Sequence, residues 1–232
     1  MISKKTTVDL ADAIPDIWNA LSADERLLLQ DSYQVHTFKK NEIIHGEGER
    51  PICMMCLYRG KVKIYKEGVG GRNQIMRMIR PGQYFAYRAA FADEDYLTAA
   101  AAFEAATVVY LPLHVMRSLV VRNNNLAMFF IRLLAVDLGI SDSRTVNLTQ
   151  KHIRGRLAEA LLFLLENYGL EDDRATIAIY LSREDLASLS NMTTSNAIRT
   201  LTIFSNEGLI AVDGRKIRLL DIDQLKRVSK HG

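Results

Sequence analysis

Apolar and polar positions change rhythm once along the chain, near Pro112. Before it, apolar residues come in short runs: Glu42-Ile43-Ile44, Cys53 to Tyr58, Lys61-Val62-Lys63-Ile64-Tyr65, Gln74 to Ile79 and Ala105 to Leu111. Turn residues separate them (Gly46 and Gly48, Gly60, Gly70-Gly71, Pro81-Gly82), so this half predicts short strands arranged as a sandwich, barrel or jelly roll. After Pro112 the pattern becomes helical. From Asn125 to about Leu148 no proline intervenes, and Ala127, Ile131, Leu134, Leu138, Ser141, Thr145 and Leu148 follow at alternating steps of four and three, a coiled-coil rhythm. Phe130, Leu133 and Ile140 give a second apolar edge. One face can therefore pack on the β domain while Ile131, Leu134, Leu138, Thr145 and Leu148 meet a second subunit; burial of both faces within one chain is the other reading. A further helix over roughly Ile153 to Tyr168 carries Leu157, Leu161, Phe163, Leu164 and Leu165.

Residues 182–218 carry the densest signals. In Ser182-Arg183-Glu184-Asp185 the serine hydroxyl can accept a free helical N–H while the carboxylate three residues on reaches back, so a helix is predicted to start near Arg183. Leu186, Ala187 and Leu189 supply its apolar face, and Ser190-Asn191-Met192 breaks it, with Asn191 suited to a left-handed backbone. Thr193 is the next N-cap. In the helix that follows, Ala197, Leu201 and Phe204 form the buried stripe, leaving Thr194, Ser195, Asn196 and Arg199 exposed near the N-terminus. Gly208 stops it, and two short strands follow around Asp213-Gly214, predicted as a type I′ turn with a basic tip including Lys216. Helix, turn, helix and hairpin in this order predict a winged helix-turn-helix. Arg183, Thr193, Thr194, Ser195, Asn196, Arg199 and Lys216 are then the expected DNA contacts, with Arg199 suited to guanine and Asn196 to adenine in the major groove.

Composition narrows the partners. A chain of 232 residues fits two domains better than one. A net charge of +3 with scattered basic residues leaves any DNA affinity to local placement rather than to a polybasic tail. Lys4 and Lys5 have no apolar stretch behind them, and no segment reaches the roughly 18 apolar residues of a membrane span. The expectation is a soluble, cytoplasmic protein.

The two cysteines, Cys53 and Cys56, share the C-x-x-C spacing of redox and metal sites. They fall in a strand-like run, where positions three apart face opposite ways, and one pair supplies half a structural metal site. Two buried thiols are expected. His36, His45, His114 and His152 are expected at the surface or at strand edges, and no metal site is predicted.

The order of these pieces resembles the Crp/Fnr superfamily of transcription regulators over nearly the whole chain. The carriers are Glu42-Ile43-Ile44-x-x-x-Gly48, Leu57-x-x-Gly60-x-Val62-x-Ile64-Tyr65, the Gly71 hairpin, Pro81-Gly82-x-x-Phe85, and Ser182 to Gly214. The resemblance implies an α+β fold: an N-terminal jelly-roll β-barrel of the cyclic-nucleotide-binding kind over 1–124, a long dimerisation helix and hinge over 125–150, and a winged helix-turn-helix over 151–232. It also implies a homodimer on a near-palindromic site, with double-stranded DNA and RNA polymerase as partners, and a hinge near Asn147 to His152.

The departures bear on the effector. In cyclic-AMP-binding members the Phe is followed by Gly-Glu, and an Arg-Ser or Arg-Thr pair lies ten residues beyond the Glu. Here those positions hold Ala86, Tyr87, Leu97 and Thr98. Without the Arg a buried phosphate lacks its charge partner, and without the Glu the ribose loses its acceptor, so cyclic AMP is not expected to bind. Phe85, Ala86, Tyr87, Arg88, Leu97, Thr98, Ser141 and Asp142 are the candidates for an altered effector pocket, with Arg88 the one nearby cation. The usual oxygen-sensing branch needs N-terminal cysteines that this chain lacks. The alternative to a regulator without cyclic AMP is a small-molecule or haem-based gas sensor; no cofactor is otherwise predicted. The recognition helix departs too: Thr194-Ser195 replace an Arg-Glu pair, and Arg199 alone matches. A cupin-like enzyme would need a His-x-His and carboxylate set that His45 does not provide, and no nucleophile–base constellation or phosphate loop appears, so no enzyme is expected.

Overall fold

A computed structural model describes residues 8–68 and 73–231, so the glycines at 70 and 71 and the lysines at 4 and 5 lie outside the described residues. The described residues form two compact units, one of 8–68 and 76–138, the other of 73–75 and 139–231, so the long helix is divided between Leu138 and Gly139 and the first residues of one strand group with the second unit.

In the first unit, three short helices, α1 (Leu10–Ala13), α2 (Pro15–Ala20) and α3 (Ala23–Ser32), precede the strands. Ser22 and Glu25 form a reciprocal capping box at the start of α3. The strands are β1 (Gln34–Phe38), β2 (Ile43–His45), β3 (Cys53–Arg59), β4 (Val62–Glu67), β5 (Asn73–Ile79), β6 (Tyr84–Phe85), β7 (Ala99–Ala102) and β8 (Ala106–Pro112). Among the described residues they make two four-stranded sheets, in the orders β1-β8-β3-β6 and β2-β7-β4-β5. Between β6 and β7 lies α4 (Tyr87–Ala92).

The two sheets face one another across a core of Met55, Leu57, Phe85, Ala106 and Val108 from the first and Val62, Ile64, Ile79, Ala100 and Ala102 from the second. On its other face the first sheet carries Met54, Cys56, Tyr84, Val109 and Leu111, which pack with Leu10, Ile14, Ile17 and Leu29 of the N-terminal helices. Both faces of β3 are therefore covered, which is why its sequence reads as an unbroken apolar run. Cys53 and Cys56 are both buried and free, as expected. Burial pushes the Cys53 thiol up to about 11 and the Cys56 thiol up to about 12. Gly60, in the β3–β4 turn, has φ of 87°, and a Cβ there would lie 2.2 Å from the Ala105 carbonyl oxygen. No other residue fits that turn.

After β8 come α5 (Leu113–Arg122) and the 27-residue α6 (Asn124–Gln150). Asn123 sets the direction of α6: its Oδ1 accepts from Leu126 N at 3.0 Å and its Nδ2 donates to the Ala20 carbonyl at 2.8 Å. Leu126 and Phe130 are buried on the helical core, whereas Ile131 (55% exposed) and Leu138 (62%) face out; Leu134 is half-buried and Thr145 exposed. The Leu148 side chain lies outside the described residues.

The second unit continues from α6 into α7 (Ile153–Tyr168), α8 (Arg183–Leu189), α9 (Thr194–Asn206), the hairpin β9 (Ile210–Asp213) and β10 (Lys216–Leu219), and α10 (Ile222–His231). The α6 helix runs on through Gln150, so only Lys151 and His152 interrupt the helices where a hinge from Asn147 to His152 was expected. The hairpin also differs from expectation. Asp213 pairs with Lys216, so the loop is Gly214-Arg215, and Gly214 alone has positive φ, at 54°. A type I′ turn requires positive φ at both loop residues; a glycine at the first position alone is the type II′ pattern.

Candidate nucleic-acid interface

Local chemistry builds the two helices of the motif. Ser182 Oγ accepts from Asp185 N at 3.0 Å, and its hydroxyl donates to the Asp185 carboxylate at 2.7 Å. Asn191 takes the left-handed conformation, with φ of 50°, that turns the chain from α8 toward α9. Thr193 Oγ1 then accepts from Asn196 N at 3.2 Å and starts α9.

In α9 the buried face is Ala197, Thr200, Leu201 and Phe204. Thr194, Ser195 and Arg199 are exposed as expected, together with Ile198 and Thr202, which sequence reasoning missed. Spacings of three and four residues place these side chains on one solvent-facing stripe. Asn196 is half-buried, and its Oδ1 accepts from Arg199 Nη2 at 3.3 Å. In the free chain Asn196 therefore braces the arginine rather than presenting an unengaged amide. At the far end, Arg154 donates to both Glu207 oxygens, at 2.8 and 2.7 Å, and its guanidinium lies 5.2 Å over the Phe204 ring. This two-point contact fixes α9 on α7.

The hairpin is held in place too. Arg183, one of the expected DNA contacts, donates from Nη2 to the Gly214 carbonyl at 2.6 Å in the free chain, and its Nη1 is buried without a partner. The guanidinium is spent tying α8 to the wing tip, and Arg215 is left exposed at the turn. Lys216 Nζ lies 3.8 Å from Glu171 and 5.4 Å over the Tyr180 ring. At the other end of β10, Arg218 lies 3.7 Å from Asp173. The Thr176 hydroxyl and the N–H groups of Thr176 and Ala175 donate to Asp173, drawing its carboxyl down to about 2. The result is an exposed helix face of hydroxyls, one arginine and one isoleucine, beside a basic hairpin tip. This suits base edges in a groove and phosphates at its rim.

Within the first unit, Phe85 and Tyr87, two of the expected effector residues, fall on opposite sides of their sheet. Phe85 points into the core between the sheets, whereas Tyr87, only 1% exposed, packs on the opposite, helical side. Ala86 separates them in a left-handed conformation with φ of 68°. The Tyr87 hydroxyl donates to the Asp137 carboxylate of α6, which also accepts from Arg77 Nη1 at 2.6 Å. Burial foremost, and the Asp137 hydrogen bond after it, push the Tyr87 hydroxyl pKa well above the usual tyrosine range. Arg88 is paired with Glu94 at 3.0 Å in solvent, so it is not an open cation. Leu97 is 55% exposed and Thr98 half-buried; Ser141 and Asp142 are exposed and belong to the second unit. His45 ends the edge strand β2, one of the two places expected for it, but is buried there, its ring 3.8 Å from that of Tyr96; burial lowers its pKa and its Nδ1 has no partner. Among the described residues, no group of three or more His, Cys, Asp or Glu side chains is disposed to hold a metal ion, and no helix is long and apolar enough to cross a membrane.

Comparison with known proteins covers both units. The family model for a cyclic nucleotide-binding domain matches residues 35–123, and that for a Crp-like helix-turn-helix domain matches residues 155–228. The chain is 22% identical to a CRP-like cAMP-activated global transcriptional regulator of Mycobacterium tuberculosis, over 82% of this chain and 85% of that protein. It is 28% identical to the transcriptional regulator LdrP of Thermus thermophilus, over 82% of this chain and 94% of that protein. FixK2 of Bradyrhizobium japonicum has the same fold, with a TM-score of 0.76 at 22% identity over 85% of this chain and 97% of that one. With an α+β architecture of roll, long helix and helix-turn-helix matched in this order, the chain belongs to the Crp/Fnr family of transcription regulators and is not an enzyme.

Proposed function

We propose that this chain regulates transcription as a homodimer that binds a near-palindromic DNA site and does not use cyclic AMP. The observation that carries the reading is the exposed face of α9, where Arg199 is held by Asn196 and flanked by the Thr194 and Ser195 hydroxyls. Two copies of such a face, one helical turn of DNA apart, read two half-sites. The homodimer is supported by Ile131 and Leu138, which stand exposed on α6 at positions of the heptad rhythm. Loss of cyclic AMP binding is supported by Tyr87, which occupies the family's ribose-acceptor position and is committed to Asp137, and by Leu97, an apolar side chain where a phosphate needs a cation.

Selection of bound sequences from a random duplex library tests all three parts, with and without cyclic AMP and at two salt concentrations. The expected result is a palindrome enriched equally in both conditions and more weakly at high salt. Enrichment only with cyclic AMP overturns the pocket argument. An asymmetric single half-site overturns the dimer, and no enrichment in any condition overturns the reading as a whole.

A further inference from the structure

On α9, the surface facing away from the core contains an apolar residue that the described residues leave half exposed. Ile198 is 48% exposed, one turn after Thr194 and adjacent to Arg199. Beyond it the hydroxyl of Thr202 turns back to donate to the Ile198 carbonyl at 3.1 Å, so its proton is engaged within the helix. The β-branched side chain has essentially one χ1 rotamer in a helix, so its methyl groups are held in place before any partner arrives.

In the major groove the thymine C5-methyl is the one apolar group that an ordinary base pair presents. We infer that Ile198 is a specificity-determining residue of this regulator, selecting a thymine in each half-site by packing on its C5-methyl. The inference rests on the DNA-binding reading above and adds a base identity to it. A polar residue at this position would be indifferent to that methyl. An isoleucine left against the cytosine edge would bury apolar surface against an amino group and strip it of water.

The test uses the full-length protein and the palindrome obtained by selection. Each thymine of a half-site is replaced in turn by deoxyuridine, which removes the methyl and leaves the hydrogen-bonding edge unchanged. Wild-type affinity is expected to fall about fourfold at one thymine, the value of one buried methyl-sized group. Ile198→Ala is expected to bind more weakly and to lose that sensitivity, while Ile198→Val keeps most of it. Replacing guanine by 7-deazaguanine, which removes an acceptor for Arg199, remains costly in Ile198→Ala and shows that the variant still docks. If no thymine is methyl-sensitive in the wild type, or if Ile198→Ala keeps full sensitivity at the same thymine, the inference is wrong while the regulator reading stands. If selection yields no site at all, both fall.

Discussion

Tyr87 of α4 donates its hydroxyl to Asp137 of α6, joining the helix that follows β6 to the long helix. Arg77 of β5 completes the contact from the other side of the carboxylate. The resemblance places at this position the residue that holds the ribose in cyclic-AMP-binding members; in this chain the Tyr87 hydroxyl is bonded to Asp137. A carboxylate carried by the chain itself occupies the donors nearest this position.

Tyr87→Phe keeps the ring and removes the hydroxyl. It is expected to destabilise the protein by about 1–2 kcal/mol in urea unfolding, the range for a partly screened hydrogen bond to a charged group. The same substitution in an Asp137→Asn background is expected to cost clearly less. Additive losses would mean that the two side chains do not act together.

The Arg183 contact to Gly214 makes this residue a positioning residue for the wing. Arg183→Gln is expected to weaken DNA binding without changing the slope of log affinity against log salt, because no phosphate contact is lost. Arg215→Gln, at the exposed tip, is expected to lower that slope by about 1. A reduced slope in Arg183→Gln would instead make it a phosphate contact.

Asp173 predicts an acid limb in the stability of the helix-turn-helix unit. Its carboxyl titrates near 2 when folded, against an ordinary value of 3.8. The folded state therefore gains from this group at every pH above 3.8 and loses the gain as pH falls from there through 2. Thermal melts of the wild type are expected to drop faster across this window than those of Asp173→Asn. Parallel curves would show that the hydrogen bonds from Thr176 and Ala175 do not hold in solution.

Much of the interface was readable because its signals are local. Ser182, Thr193 and Asn191 act on backbone groups within three residues of themselves, so their roles follow from sequence order alone. What was missed depends on distant partners. The alanines of β7 prefer helix when isolated and form a strand only because β2 and β4 flank them. The Arg183 contact is one of these, because nothing in its vicinity along the chain reveals that Gly214 will lie against it. Ile198 was passed over because an apolar residue in an amphipathic helix reads as core until its angular position is known. Tyr87 was placed in an effector pocket by alignment with the family, and the left-handed backbone at Ala86 lies between it and Phe85.

That backbone gives a fourth prediction. A non-glycine residue at φ of 68° carries a steric cost that glycine does not. Ala86→Gly is expected to stabilise the protein by about 0.5–1 kcal/mol, the relief of that strain less the added freedom of the unfolded glycine. A loss of stability on denaturant titration would mean that the Ala86 methyl group contributes more through packing than its backbone costs.

The four buried alanines of β7 also set how the roll responds to change. Ala100 and Ala102 stand opposite Ile64 and Val62 across the strand pair, and all four side chains enter the core between the sheets. A methyl group has no rotamers to rearrange, so this wall behaves as a fixed template rather than as an adjustable lining. Enlarging Ala100 or Ala102 has no local outlet and must be absorbed across the core by the facing side chains of β3, β6 and β8. Variation in what the roll encloses is therefore channelled into the strands that face this wall, where branched side chains can exchange volume without shifting the main chain.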